Sequence, residues 1–121
     1  MMDYRDLVVW QKAMNLVKNT YMIINQLPKD ERFALADQMR RCVISIPSNI
    51  AEGHERKSTK EYIQFLYIAN ASRAELETQL EICKMLGYFD NESVVNETMC
   101  QCKEIAKLIN SIVKKLQQNN E

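Results

Sequence analysis

Residues 36–53 read ADQMRRCVISIPSNIAEG, and the spacing of their apolar side chains predicts the secondary structure of this stretch. The apolar positions follow one another at alternating intervals of three and four residues: Ala36, Met39, Val43, Ile46 and Ile50. This spacing places them on one face of an α-helix, which has to be buried against other helices. The stretch therefore predicts a core-facing helix in an all-α protein.

Pro47 lies inside this predicted helix. Proline removes one backbone hydrogen bond from a helix interior and costs about 3 kcal/mol there. Because Ile46 and Ile50 stay on the same face on either side of it, we expect the second helix to be kinked at Pro47 rather than broken. The helix is expected to end near Gly53.

Three further stretches have the apolar spacing of helices. The first is predicted over about residues 7–26, the third starts at a capping box of Ser58 and Glu61 and ends at Gly87, and the last covers the C-terminal part. Short connections favour neighbouring helices that run in opposite directions. We predict a single domain over residues 1–121, an antiparallel up-down-up-down four-helix bundle.

The composition excludes several classes of protein. Only 2 Gly and 2 Pro occur among 121 residues, too few for Gly-rich phosphate-binding loops. Lys and Arg number 16 and Asp and Glu number 16, so the formal net charge is +0 and bulk charge does not attract nucleic acid or anionic membrane. Binding to a polyanion would require a local basic patch.

No residue pattern predicts catalysis or a resident metal. The single histidine, His54, lies between Glu52 and Glu55 near a helix end, which is a weak signal for metal binding. The 4 cysteines form no C-x-x-C pair and suit a reducing compartment, and no long uncharged apolar run is present. We predict a cytoplasmic protein that is not an enzyme, with no cofactor, small-molecule substrate or membrane partner.

The first predicted helix has apolar side chains on two faces. One face is assigned to the core, and its members are Leu7, Trp10, Met14, Val17, Tyr21 and Ile24. The other face carries Val9, Leu16 and Ile23, and the third helix carries Ile63 and Tyr67 behind its own core stripe. Because large exposed apolar patches are rare on monomers, we interpret these five residues as a homo-oligomer interface.

Basic side chains are concentrated around the second helix and the loop after it. The first 60 residues contain 10 Lys and Arg against 7 acids, and the predicted phosphate-contacting surface consists of Arg40, Arg41, Arg56, Lys57 and Lys60. Guanidinium groups match the geometry of phosphate, which favours nucleic acid as the partner. The alternative is a solvated helix face with ion pairs, since Asp37 precedes Arg41 by four residues.

The segment RRCVISIPSNIAEG, residues 40–53, resembles the four-helix-bundle proteins encoded within intervening sequences of bacterial 23S ribosomal RNA. The resemblance continues through residues 9–13, 62–65, 75–80 and 86–88. It implies a ring-shaped homo-oligomer, commonly a pentamer. It also implies kinship in fold with the accessory protein of diversity-generating retroelements, a basic bundle that binds nucleic acid. Fold alone does not transfer that function to a neutral chain.

Two functions are consistent with these observations. The first is a non-enzymatic homo-oligomer that binds RNA or a nucleoprotein partner through its local basic patch. The alternative is a protein-binding scaffold without nucleic-acid contact, in which the same basic groups provide solubility and ion pairs. The salt dependence of binding separates the two, because neutralising phosphates releases counterions and apolar protein contacts do not.

Overall fold

The computed structural model describes residues 2–119, which form helices and no strand. The long helices are α1 (Val8–Ile24), α2 (Leu35–His54), α3 (Thr59–Met85) and α4 (Ser93–Asn119). Single-turn 3-10 helices, Tyr4–Asp6 and Lys29–Glu31, precede α1 and α2. The all-α four-helix prediction is confirmed.

Each long helix packs against two others, in the order α1–α2, α2–α3, α3–α4 and α4–α1. Within residues 2–119, the backbones of α1 and α3 do not approach each other closely, and neither do those of α2 and α4. The four helices therefore surround one core. On α2 and α3, Met39 meets Cys83 and Ser45 meets Ser72, so the two helices run in opposite directions.

The core face predicted for α2 is confirmed, since all five of its apolar side chains are buried. Pro47 is also buried, and α2 continues through it to His54 without a break. The kink at Pro47 stays a prediction.

The structure confirms only part of the core face predicted for the first helix: Ile24 is buried, and Leu7, Trp10, Val17 and Tyr21 are half-buried against the core. Val9, Leu16 and Ile23 are at most 2% exposed and belong to the core, whereas Met14 is 44% exposed. The buried face also contains small residues, among them Ala13, which let α1 approach its neighbours closely. The prediction that Val9, Leu16 and Ile23 form a subunit interface is therefore wrong, because their side chains are already covered within one chain.

On α3, the two residues predicted at the interface have different environments. Ile63 is half-buried and packs against the core, while Tyr67 is 48% exposed and lies near the end of α4. Leu66 and Leu80 are fully buried in the core, whereas Leu86, directly after the end of α3, is 48% exposed.

The structure confirms where α3 begins and ends, and among the described residues it shows one of the two hydrogen bonds of the predicted capping box. The Ser58 hydroxyl accepts a hydrogen bond from the Glu61 backbone N–H at 3.1 Å, which satisfies a free amide of the first turn. At the other end Gly87 has a φ of 69°, and the Tyr88 N–H donates to the Cys83 carbonyl at 3.2 Å. This is the Schellman arrangement, and it stops α3 before the connection to α4.

Candidate nucleic-acid interface

The structure separates the five predicted basic residues into two groups. Arg40 and Arg41 lie in the first half of α2, whereas Arg56, Lys57 and Lys60 lie around the connection between α2 and α3. At 1.5 Å per residue the two groups are about 20 Å apart along the helix. They do not form one continuous patch on a single chain.

The group at the α2–α3 connection contains two exposed lysines. Within residues 2–119, neither Lys57 nor Lys60 has a carboxylate oxygen within 4.0 Å of its ammonium nitrogen. Arg56 is more constrained: its guanidinium lies 3.0 Å from the Glu52 carboxylate and 4.8 Å from the centre of the Phe65 ring. Lys57 and Lys60 are therefore the cations of this group that remain available to an anionic partner.

A close approach of α2 and α3 fixes the base of this connection. Gly53 is buried, and a Cβ atom at this position would lie 2.6 Å from the Cβ of Phe65. One residue later, the His54 ring meets the Tyr62 ring edge to face at 5.6 Å. These contacts hold the two helix ends together, so the basic residues of the loop project from a rigid support.

His54 does not gather metal ligands around it. In the part of the chain that the structure describes, no group of three or more His, Cys, Asp or Glu side chains is arranged to hold a metal ion. The Nδ1 atom of His54 is buried without a hydrogen-bond partner among these residues. His54 instead contributes its ring to the packing against Tyr62.

The two arginines on α2, Arg40 and Arg41, lie in different environments. Arg41 pairs with Asp37 at 3.5 Å, as the ion-pair alternative predicted. Arg40 is half-buried and lines a cavity of about 200 Å³ together with Lys29 and Arg32 from the α1–α2 connection. The predicted set did not include Lys29 and Arg32, which lie 11 and 8 residues before Arg40, because only the fold of the α1–α2 connection against the start of α2 brings the three to one cavity.

The interior between α2 and α3 is polar as well as apolar. The Ser45 and Ser72 hydroxyls are 2.8 Å apart, and the Asn49 side-chain amide donates to the Ser45 carbonyl at 2.7 Å. Close to them the Cys42 thiol donates to the Ser72 carbonyl at 2.8 Å. Because these groups satisfy one another, they join the helices rather than await a ligand.

Three cysteine thiols are too strongly buried to act as nucleophiles. Burial raises the pKa of Cys42 to about 12, that of Cys83 to about 11 and that of Cys102 to about 12. They are therefore protonated at neutral pH and have little reactivity. Cys100 is exposed.

None of the helices within residues 2–119 combines the length and the apolar character that crossing a membrane requires.

A solved structure of similar sequence has the same fold. A crystal structure of a protein of unknown function from the S23 ribosomal protein family of Bacteroides thetaiotaomicron is 28% identical to this chain, with a TM-score of 0.80. The match covers 88% of this chain and 99% of that one. No curated protein matches the chain. The family described as 23S rRNA-intervening sequence protein matches residues 5–111. With nearly its whole length matched, the chain belongs to the 23S rRNA-intervening sequence protein family.

Proposed function

We propose that this protein is a non-enzymatic, cytoplasmic homo-oligomer that binds RNA through Arg56, Lys57 and Lys60. The observation that carries the proposal is the exposure of Lys57 and Lys60 without a carboxylate partner among the described residues. Exposed cations of this kind neutralise phosphates and release counterions, which is the main source of affinity for nucleic acid.

The basic group at the α2–α3 connection is small, but its repetition in an oligomer strengthens RNA binding. One chain has a net charge of +0 and offers only a few free cations. A ring of identical subunits presents the α2–α3 connection several times, and binding of one copy raises the effective concentration of RNA at the next. Weak contacts at each subunit then add up to useful affinity.

The double variant Lys57→Ala/Lys60→Ala is expected to weaken RNA binding and to reduce its salt dependence. Each lost phosphate contact lowers the slope of log affinity against log salt by about 0.7 to 0.9, and the loss is similar for all RNA sequences. Fluorescence polarisation of a labelled RNA between about 50 and 200 mM salt measures both effects.

The matched control is Lys107→Ala, which removes an exposed lysine from the middle of α4. We expect this variant to leave the slope of log affinity against log salt unchanged. Equal slopes for the wild type and the double variant would contradict the proposed site. No RNA binding by the wild type at about 50 mM salt would contradict the RNA function and favour the protein-binding scaffold.

The oligomer in this proposal uses the outer apolar face of α1, which replaces the interface predicted from sequence. Met14 and Ile44 are each 44% exposed, on α1 and α2, and they border a groove of about 320 Å³. The remaining lining is also largely apolar and comes from Tyr4, Trp10, Val17, Pro47, Ser48 and Ala51. We propose that a second copy of the chain covers this groove, in a ring for which the family resemblance favours five subunits.

Met14→Glu is expected to dissociate the oligomer while leaving the helices folded. The carboxylate would be buried at the subunit contact but remains in water on the free chain, so only association loses free energy. Light scattering measures the mass of the oligomer, and circular dichroism measures the helix content.

Met22→Glu is the control, because Met22 is 49% exposed on the same helix and does not line the groove. We expect it to keep the wild-type mass. A wild type that is monomeric at micromolar concentration, or a Met14→Glu variant of unchanged mass, would show that the groove is not the interface.

A further inference from the structure

Phe33 has the most exposed large apolar side chain in residues 2–119, at 85%. It lies in the connection between α1 and α2, directly after the 3-10 helix Lys29–Glu31. The guanidinium carbon of Arg32 lies over the Phe33 ring, 5.3 Å from the ring centre. The ring is thus in contact with a cation and otherwise open to solvent.

The cavity of about 200 Å³ beside this ring is cationic. Lys29, Arg32 and Arg40 line it, with apolar residues and Asn25 but no acidic residue. Within residues 2–119, no carboxylate lies within 4.0 Å of the charged nitrogens of these three side chains. Two of the neighbouring acids are engaged elsewhere, since Asp37 pairs with Arg41 and Glu31 accepts a hydrogen bond from the Tyr88 hydroxyl, while Asp30 is exposed and does not line the cavity.

We propose that the α1–α2 connection binds an unpaired nucleotide of single-stranded RNA, with its base stacked on Phe33 and its phosphate held by Lys29, Arg32 and Arg40. This inference rests on the proposed RNA-binding function and names the class of RNA. Arg32 links the two parts of the site, because it lines the cavity and also contacts the ring.

The chemistry of the site favours a single strand over a duplex. An exposed aromatic ring beside cations is the combination with which proteins bind single-stranded nucleic acid, because every base has a face that can stack. The bases of a duplex are stacked on one another and leave no free face for Phe33. Charge complementarity also favours a polyanion at this site over a second copy of this neutral chain.

Phe33→Leu tests the stack, since leucine keeps apolar bulk but has no ring. We expect it to weaken binding of a single-stranded RNA of about 12 nucleotides by about 5- to 150-fold, the effect of losing one base–aromatic stack. The slope of affinity against salt is expected to stay unchanged, as is the affinity for a duplex of the same sequence. Phe33→Trp keeps a stacking surface and is expected to retain wild-type affinity.

Two further variants complete the experiment. Lys29→Ala/Arg40→Ala is expected to lower the salt slope for the single strand by about 0.7 per lost phosphate contact. Met85→Ala is the control for exposed apolar surface, because Met85 is 76% exposed at the end of α3. It is expected to bind single-stranded RNA like the wild type.

The outcomes separate this inference from the function on which it rests. If the wild type binds RNA and Phe33→Leu binds the single strand equally well, the inference is overturned while RNA binding through Lys57 and Lys60 stands. A lower oligomer mass for Phe33→Leu would assign the ring to a subunit contact and would also overturn it. Absence of RNA binding by the wild type would overturn both.

Discussion

Replacing Leu16 by aspartate is expected to unfold the protein. Leu16 is 0% exposed in the core between α1 and its neighbours. The substitution removes a buried leucine side chain, whose truncation alone costs about 2 to 5 kcal/mol. It also places a carboxyl group where it has to be buried without a partner or protonated, which adds several kcal/mol. The sum approaches the whole stability of a domain, about 5 to 15 kcal/mol.

Aspartate at position 14 is the matched comparison, because Met14 is on the same helix but is 44% exposed. We expect Met14→Asp to keep its helical circular dichroism and its melting transition, and Leu16→Asp to lose both. A folded Leu16→Asp variant of reduced oligomer mass would instead place Leu16 at a subunit interface, as the sequence first predicted.

Replacing Gly53 by valine is expected to have the second largest effect. A Cβ at this position meets the Cβ of Phe65 at 2.6 Å and the Cδ1 of Tyr62 at 3.1 Å. The Phe65 Cβ is fixed to its backbone and cannot rotate away, so α2 and α3 would have to separate. Overpacking of this kind costs about 1 to 3 kcal/mol or more, and urea denaturation measures it.

Ala51→Val is the control for this substitution. It introduces the same β-branched side chain into α2 two residues earlier, where Ala51 is half-buried on the groove face and not against α3, so the stability of the single bundle is compared under conditions in which both variants have the same oligomer mass. We expect a much smaller loss of stability there. Because alanine retains a Cβ, adding Phe65→Ala to Gly53→Val is not expected to restore stability; such a rescue would show that the Phe65 ring, and not its Cβ, limits the space at Gly53.

Sequence periodicity predicts a buried face well when only one face of a helix is apolar. On α2 the apolar face is opposed by polar and charged residues, and its predicted core side chains from Ala36 to Ile50 are buried. On α1 both faces are apolar, so spacing cannot decide between Leu16 and Met14. The choice depends on how closely α1 approaches α2 and α4, which is a property of the assembled bundle.

The sequence predicts most of the basic residues of the candidate site, but it does not predict which of them the fold brings together. Lys57, in the α2–α3 connection, and Lys60, in the first turn of α3, are only three residues apart and therefore stay near each other in any fold. Arg40 instead joins Lys29 and Arg32 because the α1–α2 connection folds back beside the start of α2, an arrangement that apolar spacing does not predict. The exposure of Phe33 was likewise hidden, because an aromatic residue beside an apolar helix is more often buried.

The sequence separation between contacting helices also influences the order in which their contacts form during folding. Ser45 and Ser72, which join α2 to α3, are separated by 27 residues, whereas Asn19 and Gln101, which join α1 to α4, are separated by 82. Closing the longer loop from the unfolded chain costs about 1 kcal/mol more in chain entropy. Contacts between helices that are neighbours along the chain are therefore expected to form first, including those of α3 with α4, where Lys84 and Asn96 are only 12 residues apart, and docking of the first helix against the last is expected to complete folding.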